Sequence, residues 1–377
     1  MSIAKKNFFY KVSGLSFRSK NVFIFGAWFG KRFSDNPKYL LMQMLKSDKF
    51  KRKKFVWIGN DSLAKMINNK RVVFIRRNSL KSIFYQLRAG KAFFTHGYQD
   101  FGDYSFLKGA ICFQLWHGFP IKKIGADNSN TPNEGKRRYE NYQYFLASSP
   151  VMARRMSTAF SYYGAQKGNV LIASMPRVDY LRENSNNYEL KATIKKKLGI
   201  DSGKFVITYL PTFRDKSRQV FSFQRVNNQE VSHMLEEKNA VLLERQHFVR
   251  RSSNNGQRVG NYLNLDETVD TQDILLITDL LISDYSSVYV DFIALNKPII
   301  HFLYDNDDYL KNDRGTYAID PRREFAGPVA YTIPELLSII GNKNNFFEKY
   351  RLRANKNLEF NQNYNSRFID LYKDIIK

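Results

Sequence analysis

The sequence predicts an α/β protein of two doubly wound, parallel-sheet domains with a cleft between them. Three observations carry that prediction. Short apolar runs alternate with longer mixed segments along the whole chain. The runs form two series, separated by the polar stretch Glu183 to Ser202. The length, 377 residues, is a two-domain length at roughly 150 residues per domain. The domains are placed at 1–182 and 183–377, with the last helix a candidate to pack back on the first.

The first series consists of Val22-Phe23-Ile24-Phe25, Lys54 to Ile58, Arg71 to Ile75, Ala92 to Thr95, Ile111 to Trp116 and Tyr144 to Ala147. These runs are apolar almost throughout, as strands buried on both faces must be. Between them, Pro37 to Lys46 places Leu40, Leu41, Met44 and Leu45 at helical spacing. The second series is Lys204 to Tyr209, Ala240 to Glu244, Leu280 to Ser283 and Pro298 to Phe302. Strands alternating with helices give parallel sheets covered on both sides.

Composition removes several classes. Apolar residues make up 43% and aromatics 15%, too many for a disordered chain. The most apolar stretches, Val22 to Gly30 and Ile274 to Ile282, fall well short of the roughly 20 residues of a spanning helix. Lys and Arg interrupt the apolar residues of Met1 to Lys20, against a signal peptide. A single cysteine, Cys112, excludes disulfide frameworks and Cys-rich zinc sites. An intracellular protein is expected.

The charge is large: 60 Lys+Arg against 35 Asp+Glu, a net +25. Polyanions are the natural partners: nucleic acid, phosphorylated substrates or the anionic inner face of a membrane. The bases are scattered in short clusters such as Lys51 to Lys54, Lys195 to Lys197 and Arg250-Arg251, each of which also reads as a solvated face. The aromatic, basic N-terminus, with Phe8, Phe9, Phe17, Lys5, Lys11 and Arg18, suits an interfacial segment or a frayed end.

In doubly wound sheets, ligands bind beyond the carboxyl ends of the strands, so polar residues just after a strand carry the chemistry. Three such places stand out. His117 follows an apolar run, with Gly118 allowing a sharp turn and Lys122-Lys123 beyond. An imidazole there suits proton acceptance, or it is a structural, hydrogen-bonded histidine. His247 closes a run in the other domain. Of the other histidines, His96 reads as structural, His233 as surface and His301 as core. The third place is Ser283-Asp284-Tyr285-Ser286-Ser287, after which a helix begins with Asp291 in its early turns. Ser286 and Ser287 fall where free backbone N–H groups and a helix dipole converge, a phosphate cradle. Plain N-capping explains one serine only. Asp291 is placed to accept a ribose hydroxyl, or is a surface acid complementing the dipole.

Other motifs fail. There is no G-x-x-x-x-G-K-[ST] loop, no G-x-G-x-x-G fingerprint and no G-x-S-x-G elbow in the chain. Asp305-Asn306-Asp307-Asp308 reads as an acidic helix start rather than a metal site.

Taken in order, several segments resemble the CDP-glycerol glycerophosphotransferase family, the wall teichoic acid primases and polymerases. Trp116 to Gly125 matches the family's Trp-His-Gly-Thr-Pro-Leu-Lys-Lys-Ile-Gly, with Phe119 for Thr and Ile121 for Leu. Ser34-Asp35-Asn36-Pro37, Pro211-Thr212-Phe213-Arg214-Asp215 and Asp284 to Val288 are intact motifs. Pro176-Arg177-Val178-Asp179 keeps only part of Pro-Arg-Asn-Asp. Tyr304-Asp305, Tyr309, Arg314-Gly315 and Gly327-Pro328 match a closing block. The resemblance covers about residues 20 to 360.

The resemblance implies a GT-B-like fold of two facing Rossmann-type domains, the second holding CDP-glycerol. It implies transfer of glycerol phosphate to a hydroxyl of an undecaprenyl-diphosphate-linked saccharide, releasing CMP. His117 would be the general base. His247, Ser286 and Ser287 would hold the diphosphate and stabilise the leaving CMP. Arg214 and Thr212 would contact phosphate and Asp291 the ribose, with Gly118 and Asp284 among the substrate-binding residues. By the same analogy no metal or cofactor beyond the donor is required. The expected location is the cytoplasmic face of the membrane, held peripherally on its anionic surface, with no nucleic acid bound. About one catalytic module favours a primase-like enzyme. A CDP-ribitol-using enzyme of the same fold is the alternative, and a non-catalytic basic membrane- or nucleic-acid-binding protein a remote one.

Overall fold

The structure, a computed structural model, describes residues 3–129, 140–212, 221–226, 228–245, 258–305, 315–317, 325–341 and 366–375. The chain divides into two compact units. One is Met1–His117, Ile124–Asp179 and Gln362–Lys377; the other is Gly118–Lys123 and Tyr180–Asn361.

The first unit is built on β1 (Ser19–Phe25), β2 (Lys54–Gly59), β3 (Val72–Arg76), β4 (Ala89–Phe94), β5 (Ile111–Gln114), β6 (Tyr144–Ala147) and β7 (Val170–Ile172). Their order is β3-β2-β1-β4-β5-β6-β7, and all pairs are parallel. The chain winds outward from β1 in both directions, so the order reverses between β1 and β4, where such sheets open a ligand crevice. Register brings Phe25, Phe93, Phe113 and Tyr144 side by side across four strands. Their rings stack at 4.9, 4.9 and 5.1 Å. The closing helix Phe368–Ile375 sets Tyr372 against Phe23, Phe93 and Phe113 at 6.3, 5.7 and 5.5 Å. Helix Asp35–Lys46 buries Leu40, Leu41 and Met44, the stripe its spacing predicts.

The second unit contains β8 (Phe205–Leu210), β9 (Ala240–Glu244), β10 (Arg258–Val259), β11 (Tyr262–Asn264), β12 (Leu280–Ser283), β13 (Ile299–Phe302) and β14 (Val329–Ala330). Their order is β10-β11-β9-β8-β12-β13-β14, parallel except for the β10–β11 pair. The reversal lies between β8 and β12. One face of the sheet offers Ile207, Tyr209, Leu242, Leu280, Ile282 and Ile300 to the helices Gln229–Glu237 and Ile333–Gly341, which bury Leu235 and Leu336 in the same cluster. The opposite positions, such as Val206, Val241 and Leu281, are buried too, which is why these strands carry no polar alternation.

The doubly wound α/β expectation is therefore met in both units. Three details differ from the sequence reading. β5 stops at Gln114 rather than running to Trp116, because Trp116 has φ 56 and Gln114 Oε1 accepts its N–H at 3.1 Å. The two- and three-residue strands β7, β10, β11 and β14 are too short for periodicity to show them. The polar stretch after Glu183 contains the helix Tyr188–Lys197, capped by Asn187, whose side chain accepts from Leu190 N at 3.0 Å. Its lysine cluster is a helix end, with Lys195 Nζ donating to the carbonyls of Ser202 and Lys204. Among the described residues, no helix is long and apolar enough to cross a membrane.

Candidate active site

In the first unit the carboxyl ends of β1, β4 and β5 bring Trp28, His96, Trp116 and His117 together. The His117 ring lies 4.0 Å from Trp116, 4.3 Å from His96 and 4.8 Å from Trp28, with the two imidazoles stacked at 13°. Among the described residues, seven other than glycine have positive φ, and four of them are Trp28, Phe29, Asp35 and Trp116. The other three are asparagines, the residue that best tolerates this region. Strain of about 1–3 kcal/mol per residue is thus concentrated where the strands end.

Two carboxylates hold this arrangement. Asp100, fully buried, accepts from the N–H groups of Phe29 (2.6 Å), Thr95 (2.7 Å) and His96 (3.0 Å) and from Thr95 Oγ1 (3.0 Å). Thr95 Oγ1 also accepts from Trp28 N at 3.0 Å and meets His96 Nδ1 at 2.8 Å. With the one hydroxyl proton given to Asp100, His96 must donate from Nδ1. Burial lowers the His96 pKa against the opposing pull of Asp100 and Asp35, so the ring stacked on His117 is a neutral imidazole.

Asp35 is the second anchor. It accepts from Trp28 Nε1 at 3.0 Å and pairs with Arg177 Nη1 at 2.9 Å, both partners of that pair being buried. Its neighbour Asn36 donates from Nδ2 to the carbonyls of Leu115 (3.0 Å) and Trp116 (3.1 Å), fixing the backbone that leads into His117. Arg177 N in turn donates to Asn36 Oδ1 at 3.3 Å. The Ser34-to-Pro37 and Pro176-to-Asp179 motifs are therefore a bracket around the His117 loop. Val178, where the family pattern has Asn, is buried, and Asp179 accepts from Ser174 Oγ at 2.5 Å and Gln43 Nε2 at 3.3 Å.

Gly118 belongs to the second unit. A Cβ on it would lie 2.8 Å from Ser287 Oγ, so a larger residue here would have to displace that hydroxyl. The segment that follows is tied down: Lys123 N donates to Gly315 O at 3.0 Å and Tyr317 N to Ile121 O at 2.9 Å. This joins the Trp-His-Gly block to the closing block.

At the β8 and β12 ends, Asp284 accepts from Thr212 N (2.8 and 3.0 Å), Thr212 Oγ1 (2.5 Å) and Ser286 N (3.1 Å). Asp284 is fully buried and locks the two strand ends together. Its carbonyl accepts from His301 Nδ1 at 3.0 Å. His301 stacks on Phe325 at 3.9 Å, and burial lowers its pKa to about 4. The reading of His301 as a core residue agrees with this.

Two sequence expectations need correction. The N–H groups at the Ser286-Ser287 turn are not all open: Asp284 takes that of Ser286, and Ser286 Oγ takes that of Val288 at 3.4 Å. The hydroxyls, half-exposed, are what this turn offers a ligand, and Ser287 makes no side-chain cap bond. Asp291 is not a surface acid; it is 6% exposed and accepts from Gln272 Nε2 at 3.1 Å. Its helix, Val288–Phe292, is one short turn. His247, Arg214 and Asn306 to Asp308 lie outside the described residues. Next to the first of these, Arg245 donates to Val269 O at 2.8 Å and Thr271 Oγ1 at 2.7 Å, which pins the end of β9.

Sequence reasoning assigned no role to Asp35, Asn36, Thr95, Asp100 or Arg177. The first two and Arg177 were visible as motif members. Asp100 carried no signal, because the N–H groups it serves converge only in the folded chain.

Residues 8–369 match the family model described as CDP-glycerol:poly(glycerophosphate) glycerophosphotransferase. A teichoic acid poly(glycerol phosphate) polymerase of Bacillus spizizenii is 27% identical over 352 residues, covering 89% of this chain and 87% of that protein. A teichoic acid glycerol-phosphate transferase of Staphylococcus aureus is 29% identical over 327 residues, covering 82% and 81%. A solved structure of the wall teichoic acid polymerase TagF shares the fold, with a TM-score of 0.80 over 99% of this chain and 93% of that one at 21% identity. The match spans both units and takes in the bracketed histidine and the Asp284 latch: this chain is a transferase of the CDP-glycerol:poly(glycerophosphate) glycerophosphotransferase family.

Proposed function

We propose that the enzyme moves glycerol phosphate from CDP-glycerol to a hydroxyl of a polyprenyl-diphosphate-linked saccharide and releases CMP. The acceptor oxygen attacks the phosphorus that bears glycerol. A new P–O bond forms, the P–O bond to the bridging oxygen breaks, and CMP carries that oxygen away. The acceptor proton passes to His117. In this role His117 is a general base worth about 10²–10⁴ in rate.

The observation that carries the reading is the construction around His117. Three rings, a two-carbonyl bracket from Asn36 and strained backbone at Trp28 and Trp116 fix one imidazole at a strand end. A merely structural histidine needs none of this. In the second unit, the half-exposed hydroxyls of Ser286 and Ser287 and the rigid Thr212–Asp284 latch suit a diphosphate, with Asp284 acting through the turn it holds. His247 and Arg214 are assigned to the same diphosphate, where cationic groups stabilise the charge developing on CMP. Asp291, held by Gln272, is assigned to the ribose. No metal or cofactor beyond the donor is invoked.

The net charge of +25 supports peripheral docking on the anionic cytoplasmic leaflet, at about 1 kcal/mol per Lys or Arg near the surface, where a polyprenyl-linked acceptor would lie; no nucleic acid is invoked. The test is incubation with a synthetic lipid disaccharide and either CDP-glycerol or CDP-ribitol, with products weighed by mass spectrometry. Glycerol phosphate addition with CMP release is expected, lost in His117→Ala. Undiminished release by that variant removes His117 from its role, and ribitol phosphate transfer replaces the donor.

A further inference from the structure

Lys91 is the one buried lysine among the described residues, at 6% exposure. It lies within β4, where register sets it between Phe23 of β1 and Ile111 of β5. Tyr372 of the closing helix packs on this face of the sheet, 6.3 Å from Phe23 and 5.7 Å from Phe93. A lysine in such a place normally meets a carboxylate. The strands of the first sheet hold no Asp or Glu, and no acidic side chain among the described residues pairs with Lys91.

What faces it is more positive charge. Lys91 Nζ sits 5.0 Å from the centre of the Phe23 ring, and Lys53 Nζ lies 5.6 Å from the centre of the same ring. Lys53 is held there by donating to Asn21 Oδ1 at 2.7 Å and to the Lys20 carbonyl at 3.4 Å. Burial lowers the Lys91 pKa, and the charges of Lys53 and Lys20 lower it further. Other cations around this part of the sheet are engaged elsewhere. Lys54 Nζ lies over the Tyr85 ring at 4.9 Å, and Arg71 donates to the carbonyls of Leu45 and Phe50 at 2.8 and 3.0 Å.

A lysine stem often buries itself along a ring while its head escapes to water. Here the head turns towards two further ammonium groups, and one multivalent anion relieves the repulsion among all three. Chloride or a monocarboxylate brings a single charge. A phosphate group brings nearly two at neutral pH, with several acceptor oxygens for the lysine donors. Lys20 and Lys53 stand at the amino ends of β1 and β2, the end of this parallel sheet opposite to the His117 loop.

We propose that Lys20, Lys53 and Lys91 form a binding site for a phosphate group, carried as the free ion or as the monoester of a small polyol. The bound anion joins β1, the start of β2 and β4, and so stabilises the first unit. This goes beyond the transfer reaction and needs neither the donor nor His117.

The test is thermal unfolding and calorimetric titration of the full chain with inorganic phosphate and with glycerol phosphate, against sodium chloride at equal ionic strength. A rise of about 2–4 °C is expected at about ten times Kd, and none with chloride. The larger response of the two identifies whether the free ion or the ester is taken. Lys91→Met keeps the stem on Phe23 and removes the charge. It should melt above the wild type without anion, because a buried unpaired charge is gone, and should lose the phosphate response. Lys53→Met should weaken phosphate affinity by on the order of tenfold. Ser286→Ala/Ser287→Ala, altered at the proposed diphosphate site, should keep the full response. No shift beyond that of chloride overturns the proposal, as does wild-type phosphate affinity in either lysine variant. A response lost in the serine variant overturns it too, since the anion would then belong to the donor site.

Discussion

His117, in the loop beyond β5, and His301, inside β13, lie in very different environments. His117 is half-exposed among three rings, whereas His301 is sealed in the core with Nδ1 on the Asp284 carbonyl. Burial depresses the folded-state pKa of His301 to about 4, below the unfolded value of about 6.5. The stabilisation of its neutral form is therefore complete above the unfolded pKa and is lost as pH falls from about 6.5 towards 4, when the unfolded chain takes up the proton first. Urea unfolding at pH 7 and pH 5 should show a fall in stability that His301→Leu flattens. For His96, the stacked face is what matters to its neighbour. His96→Phe should retain transfer activity and His96→Ala should lower kcat by about tenfold, with KM for the donor unchanged, because only the second removes the ring that orients His117. Equal kcat in the two variants would show that the stack does no positioning.

At the scale of elements, the site is a set of strand ends tied to one another. Asn36, at the start of helix Asp35–Lys46, holds the two carbonyls before His117. Asn36→Ala leaves both without that donor and should cost about 1–3 kcal/mol in stability; a urea melt will read it, and kcat should fall with it. The second tie is steric. Gly118→Ala places a methyl 2.8 Å from Ser287 Oγ, a small-to-large strain of about 1–3 kcal/mol. Ser287→Ala removes that oxygen, so the double variant should regain most of the thermal stability lost by Gly118→Ala alone. No recovery would mean that the strain lies in the backbone turn. The strands themselves were legible in the sequence, since the second half of β1 and most positions of β2, β8, β9, β12 and β13 are apolar and buried. The end of β5 was not, because its stop depends on the left-handed backbone of Trp116, a residue type that gives no hint of it.

Across the whole molecule, the chain terminus returns to where the chain began. Helix Phe368–Ile375 joins the first unit, with Ser174 N donating to Ser366 O at 2.8 Å and Tyr372 packed under the ring ladder of the first sheet. Tyr372→Ala should destabilise that unit by about 3–5 kcal/mol, while Tyr372→Phe keeps the ring and should stay close to wild type in a thermal melt. Equal unfolding of wild type and Tyr372→Ala would show that the closing helix adds nothing to the first sheet.

Read from the chain alone, the alternation of apolar runs and helical stripes already determined two doubly wound sheets, because burial on both faces leaves its mark on every residue of a strand. The ordered motifs likewise determined the transferase family. Only the tertiary structure decided what those motifs do for one another. Asp35 and Arg177 are 142 residues apart, yet pair in the core, and Asp100 gathers N–H groups from two strand ends. Such bonds depend on which chain segments the fold brings within about 3 Å, a distance that spacing along the sequence does not encode.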